Sequence, residues 1–302
     1  MKPKPLYIET QIACPLEVLW EHTQNPALHQ QWDLRFSSIT YLPKQEHQDP
    51  QQFLYSTKIG FGLAVKGTGE SVATKASRAG ESTSVLKFWS ESGLSLIRSG
   101  SGYWKYQPQP EGNTIRFRTG YNYQTRWGLA GATIDSCLFR PLMIWATAWS
   151  FDCLKNWLEK GIHPLQALRA QAGVTIASAV LSLVWIYQGL VPKLLFPYSG
   201  ELGMLEQSGL FTGFEHLVIK GIGLMEILFG CCLLILHNRL IHSINILALC
   251  ILGLGAVYSN AEVVLAPFNP VSFNLALIAL SLICLLHLKH LPRASNCKTK
   301  PI

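Results

Sequence analysis

"HLVIKGIGLMEILFGCCLLIL", residues 216–236, is the stretch that decides the class of this protein. A run of about 20 apolar residues forms a helix long enough to cross about 30 Å of hydrocarbon. Three further runs match it: 172–191, 241–259 and 271–288. Four such runs predict a four-helix transmembrane bundle. The run at 217–236 still carries two ionisable residues, Lys220 and Glu226. Either the lipid solvates them at a cost, or the bundle uses them.

The charge distribution agrees with this reading. The chain of 302 residues has 49% hydrophobic and 14% charged residues and a formal net charge of +7. Residues 171–302 hold only 7 Lys+Arg and 5 Asp+Glu. Positive residues gather before the first span (Lys155, Lys160, Arg169), between the second and third (Arg239), and after the fourth (Lys289, Arg293, Lys298, Lys300). The other two connections are poor in them, so both termini are expected in the cytosol, with the spans in the cell membrane. The start "MKPKPLYIETQIACPLE" has no apolar signal-peptide core, which also predicts a cytosolic N-terminal part. Attraction to anionic lipid explains the basic balance. No nucleic-acid-binding signature accompanies it, so nucleic acid is not expected as a partner. The eight cysteines include no CxxC and read as reduced, small apolar side chains.

Residues 1–160 read differently. "LYIETQIA" (6–13) is strand-like, and 14–32 predicts two short helices broken at Asn25-Pro26. Strand-like runs follow at 35–42, 53–62, 64–76, 83–91, 94–107 and 113–125. In "NTIRFRTGYNY" (113–123), Ile115, Phe117, Tyr121 and Tyr123 share one face. Phe53 and Tyr55 share a face in "FLYSTKIGF". A long helix is predicted over 135–161, with Leu138, Leu142, Trp145, Trp149 and Cys153 at helical spacing and Gly161 as its stop.

Strand, two short helices, six strands and a long terminal helix is the helix-grip order. With "PLEVLWEHTQNPALHQQWD" (15–33) leading into the second strand, residues 5–160 resemble the START-like, or polyketide cyclase, superfamily. The resemblance implies a curved antiparallel sheet gripping the long helix around an apolar cavity. Candidate cavity residues are Phe53, Tyr55, Trp104, Phe117, Tyr121, Tyr123, Trp145 and Trp149. Arg98 shares the phase of Leu96; it is either an inward charge meeting an anionic head group or a surface charge at a strand edge. His22 and His29, on the short helices, read as surface or packing residues. No catalytic triad or zinc motif appears, so a binding module is favoured over an enzyme and no cofactor or metal is assigned.

The last part carries a second resemblance. "YQGLVPKLLFP" (187–197), "ELGMLEQSGL" (201–210), "GLMEILFG" (223–230) and "APFNPVSFNLAL" (266–277) occur in the order found in the DoxX-like family of small four-span membrane proteins, over about residues 165–290. That resemblance implies association with membrane redox or stress-defence complexes and carries no defined catalytic set. The expected layout is therefore 1–160 soluble, 161–171 linker, 172–290 membrane and 291–302 a basic tail.

Depth separates the two charges of the opening stretch. Lys220 lies about 5 Å inside the outer end of its span, within reach of snorkelling, and can pair with Glu262. Glu226 lies about 13 Å in, beyond that reach, so it must be protonated, hydrogen-bonded or facing a wet cavity. At its depth the nearest expected neighbours are Ser182, Cys250, Leu280 and Ser281. Tyr187, Gln188, Lys193, Asn260 and Asn269 are expected at the outer ends as a polar pocket or as ordinary interfacial residues. His237, His242, His287 and His290 read as interfacial histidines at the inner ends.

The sequence thus predicts a membrane protein whose cytosolic domain binds a lipid- or quinone-like ligand and which serves a redox or stress-defence complex. Its expected partners are membrane lipids and proteins of that complex. The alternatives are a quinone-linked oxidoreductase subunit and a small proton-coupled transporter.

Overall fold

A computed structural model describes residues 5–301 apart from 45, 47, 48, 75–79, 111, 112, 199, 208, 210, 260 and 290. The chain forms two compact units, one of Met1–Ala167 with Pro292–Ile302 and one of Leu168–Leu291.

The first unit opens with β1 (Leu6–Ala13), α1 (Leu16–Gln24) and α2 (Pro26–Trp32). Asn25 separates the two helices: its side chain accepts from the Ala27 N–H, and Pro26 supplies a pre-set first helical residue. Six strands follow: β2 (Ser38–Tyr41), β3 (Gln51–Gly60), β4 (Leu63–Thr74), β5 (Ser82–Trp89), β6 (Ile97–Pro108) and β7 (Thr114–Thr125). They form one antiparallel sheet in the order β1-β7-β6-β5-β4-β3-β2. Then come α3 (Gly128–Ile134), a π-helical turn (Asp135–Phe139) and α4 (Arg140–Lys160). Gly161, at φ 68°, ends α4 as expected. The middle of α4 is buried against the sheet, where Phe151 stacks on Phe117 at 4.6 Å. This is the helix-grip fold.

Two glycines shape the face of the sheet on which Phe53 and Tyr55 lie. A Cβ on Gly67 would strike the Tyr55 ring, and one on Gly69 the Phe53 ring. Their absence lets both rings lie flat across the neighbouring strand.

The basic tail is not free. Glu9 and Lys298 exchange backbone hydrogen bonds of 2.9 Å at the edge of β1. The buried Asp152 carboxylate of α4 accepts from the Arg293 N–H at 2.8 Å and from the Asn296 amide at 3.0 Å. Cys297 is buried and reaches the Ala148 carbonyl. The expected basic tail, 291–302, falls from Pro292 onward in the first unit. The expected linker is corrected, because a helix already starts at Pro164.

The second unit contains that helix, α5 (Pro164–Gly189), a π-helical turn (Leu190–Leu195), α6 (Glu201–Gln207), α7 (Glu215–Ile235), α8 (Arg239–Ser259) and α9 (Pro270–His287). Among the described residues, four helices are long and apolar enough to span a membrane: Pro164–Leu195, Glu215–Ile235, Arg239–Tyr258 and Pro270–His287. Leu228, Leu254 and Leu286 are exposed, as outward faces solvated by lipid require. Small residues bring α5 and α7 together. A Cβ on Gly189 would strike the Gly223 carbonyl, and one on Gly230 would sit 2.9 Å from the Ser182 carbonyl.

Candidate functional site

The first unit encloses a cavity of about 380 Å³ between the sheet and the helices. Of the residues expected there, Phe53, Tyr55, Trp104 and Tyr121 line it. Phe117, Tyr123 and Trp149 point to the same side but belong to the packed core, where α4 covers the sheet. Trp145 is exposed and joins Leu138 and Leu142 in an apolar stripe on the helix surface. Arg98 is exposed too. The register of β6 against β7 shifts between Ile97 and Ser99, so the phase argument that placed Arg98 beside Leu96 fails at this bulge.

The cation at the cavity is Arg35, half-buried in the loop after α2. Its Nε donates to Asp33 Oδ1 at 2.8 Å and its Nη2 to Asp33 Oδ2 at 2.6 Å. His29, one helical turn before Asp33, holds Oδ2 through Nε2 at 3.0 Å. Both His29 and Arg35 line the cavity. Burial penalises the Asp33 carboxylate, yet the guanidinium and the imidazole outweigh that and hold it well below the usual carboxylate range. Burial dominates at His29 and, with the Arg35 charge, keeps the ring neutral despite Asp33. The Arg35 guanidinium, favoured by Asp33 against its own burial, stays charged. It lies 5.6 Å from the Tyr121 ring centre.

Other polar groups of the wall are tied to the fold. Thr119 donates to the Tyr103 carbonyl at 2.9 Å, Ser95 to Ile97 at 2.7 Å and Thr57 to Arg35 at 2.5 Å. Tyr106 is held by Thr23 at 2.8 Å and Gln24 at 2.9 Å. Tyr55, its hydroxyl against the Trp89 carbonyl, is pushed up to about 12 by burial. A mostly apolar chamber whose wall carries one guanidinium suits a hydrophobic molecule bearing an oxygen function.

The mouth of the chamber is also apolar. Ile59, Leu94 and Ile134 line the cavity and are exposed. Next to Ile59, Phe61 is fully exposed at φ 50°, between Gly60 at φ 93° and Gly62 at φ 76°. A non-glycine residue in the left-handed region is uncommon, and these glycines give the hairpin tip the shape that presents the ring.

The second unit holds a separate charged group. Lys193, in the π-helical turn, lies 2.8 Å from Glu226 Oε2, off the ideal hydrogen-bond angle, and 2.6 Å from Glu201 Oε2. It also donates to the Gln188 carbonyl at 3.2 Å. The structure therefore joins Glu226 to Lys193 and not to the neighbours expected from depth alone. The Ser182 carbonyl faces Gly230, one turn along α7, and Cys250 is exposed. Ser281 accepts from Asn245, which itself accepts from the Trp185 indole at 2.6 Å. Tyr187, Lys220 and Glu262 are exposed and lie outside the cluster. His242, expected at the interface, is fully buried, and neither ring nitrogen has a hydrogen-bond partner among the described residues. Asn260 and His290 lie outside the described residues. No three His, Cys, Asp or Glu side chains converge as a metal site among the described residues.

Comparison with known proteins gives three findings. A sequence model of the DoxX-like family matches residues 182–282. The chain is 48% identical over 206 residues to the uncharacterized membrane protein YndG of Bacillus subtilis (strain 168), covering 68% of this chain and 76% of YndG. Among solved structures, TTHA0849 of Thermus thermophilus is 16% identical, with a TM-score of 0.35 over 46% of this chain and 86% of its own. The ZhuI aromatase/cyclase of Streptomyces sp. R1128 is 14% identical, with a TM-score of 0.34 over 41% and 70%.

Proposed function

Because the chain belongs to the DoxX-like family of membrane proteins, we propose that its N-terminal unit binds a hydrophobic, lipid- or quinone-like molecule for use at the membrane. One observation carries this reading: a mostly apolar cavity of about 380 Å³ has the charged Arg35 in its wall. That volume lies within the range of about 300–1,000 Å³ usual for small-molecule sites. The apolar body of the ligand lies against Phe53, Tyr55 and Trp104. Its carbonyl, hydroxyl or carboxylate oxygen accepts from Arg35. The exposed rim of Ile59, Phe61, Leu94 and Ile134 supports exchange with the acyl region of a bilayer.

In this reading the protein lies in the cell membrane with both termini in the cytosol, which the Lys and Arg distribution supports. It serves as an accessory to a membrane redox or stress-defence complex, an assignment that rests on family likeness alone.

The test is a titration of the intact protein in detergent with a short-chain quinone and with a fatty acid, followed by quenching of tryptophan fluorescence. Saturable quenching by either probe is expected, and it is lost in Ser84→Trp, which fills the cavity. Absence of saturable binding by both probes would reject the reading. Quinone-dependent turnover by the purified protein would replace it with a quinone-linked oxidoreductase subunit.

A further inference from the structure

The cavity reading leaves Lys193, Glu201 and Glu226 without a role. They come from three elements: the π-helical turn that ends the first span, α6, and the middle of α7. Glu226 lies about 16 Å along a helix of 21 residues, too deep for its side chain to reach water. Lys193 is 5% exposed and Glu226 7% exposed. Glu201 is the accessible member, with its side chain 32% exposed.

The charges do not balance. One ammonium faces two carboxylates, at 2.6 and 2.8 Å, within an apolar bundle. Lys193 is the cation that the preceding turn contributes, Glu201 the acid of α6, and Glu206 is exposed. On α7, Lys220 and His216 are exposed, away from the buried pair. Among the described residues, no second cation reaches either carboxylate. Fully ionised, the cluster carries an uncompensated negative charge in a medium that tolerates it poorly.

We propose that this cluster is a proton-binding site, which holds one exchangeable proton shared between Glu201 and Glu226 while Lys193 stays charged between them. The step is a simple uptake. A proton from water bonds to a carboxylate oxygen of Glu201, the cluster goes from −1 to neutral, and Lys193 shifts its contact toward the carboxylate left ionised. With Glu226 as the protonated partner, Lys193 holds Glu201; with Glu201 protonated, it holds Glu226. Proton occupancy thus biases how α6 and the π-helical turn engage α7, which gives the bundle a proton-linked element independent of the cavity of the first unit.

The test is pH-difference infrared spectroscopy of the full-length protein in phosphatidylethanolamine–phosphatidylglycerol nanodiscs, between about pH 5 and pH 9. The wild type should show one protonated carboxyl band that disappears as the pH rises. Charge counting makes a specific demand on the variants. Glu226→Gln and Glu201→Gln each leave one ammonium with one carboxylate, so the band should vanish in both. Lys193→Met leaves two carboxylates without a cation, so the band should about double. If Lys193→Met does not fold, the Lys193→Met/Glu226→Gln variant, which keeps only the Glu201 carboxyl, should restore folding and show a single band. A band that persists in Glu201→Gln would overturn the shared site in favour of a Glu226 that titrates alone. No band in the wild type would overturn it altogether.

Discussion

Replacing Arg35 by Met should reverse the pH dependence of stability in the first unit. In the wild type, Asp33 has its folded pKa depressed by Arg35 and His29. Its stabilisation is present above the unfolded value of about 3.9 and is lost as pH falls through the folded value. His29 also has a depressed folded pKa, because it is buried beside a cation. The unfolded chain therefore takes up the proton first. Stability falls as pH drops below about 6.5, by up to about 1.4 kcal/mol per pH unit. Arg35→Met removes the bonds of 2.6 and 2.8 Å and leaves Asp33 fully buried with His29 as its neighbour. Losing one partner of a buried pair costs about 3–5 kcal/mol, near the lower end here because the Arg35 backbone N–H at 3.1 Å can remain. About 3 kcal/mol corresponds to roughly 6–12 °C in melting temperature for a unit of this size. The imidazolium is then the only available counter-charge, so the folded unit takes up a proton more readily than the unfolded chain. Stability should now rise as pH falls below about 7. Thermal melts of the intact protein in detergent, followed by tryptophan fluorescence, read both effects, because Trp32 and Trp104 stand 5.0 and 4.9 Å from the His29 ring. If variant and wild type kept the same pH slope, the assignment of a neutral, Arg35-biased His29 would be wrong.

Other variants probe the remaining parts. Asp152→Ala removes the acceptor for Arg293 and Asn296, worth about 1.5–3 kcal/mol for each bond to a charge. Amide exchange at Glu9 and Lys298 should accelerate by about 100-fold or more, as hydrogen-exchange mass spectrometry would reveal. Gly223→Leu puts a side chain into the Gly189 carbonyl and the Lys193 stem; it should separate α5 from α7 and lower the yield of folded protein in size-exclusion chromatography. Phe61→Asp should leave the melting temperature within about 2 °C, since the ring is fully exposed. It should slow ligand uptake from vesicles several-fold, and an unchanged uptake rate would deny the apolar rim its role.

Much of this architecture is legible in residue patterns. The alternation in 113–123 matches the inward face of β7, and the four apolar runs match four helices. What failed has local causes. Pro192 looks like the end of a span, but the helix continues through a π-helical turn to Leu195, which carries Lys193 inside. The apolar residues at 194–196 are the signal that could have shown this. Glu201 lies on a short helix after a break, so only tertiary contact brings it to Lys193. Of the two readings its phase allowed, Arg98 takes the surface one, beside a bulge that shifts register without an obvious sequence mark. Arg35 sits in "DLRF", a loop without periodicity, so nothing marks its direction. The tail reads as basic and polar, and its docking rests on Cys297, Asn296 and two backbone groups that composition does not reveal.

The central claim is that the cavity of the first unit holds a hydrophobic molecule by an oxygen function against Arg35. Native mass spectrometry of the full-length protein, released from detergent and followed by identification of what is ejected, tests it most directly. A single bound lipid- or quinone-like species carrying a carbonyl, hydroxyl or carboxylate is expected in the wild type, with occupancy reduced about tenfold or more in Arg35→Met. A ligand-free wild type after addition of membrane extract, or equal occupancy in the two proteins, would contradict it.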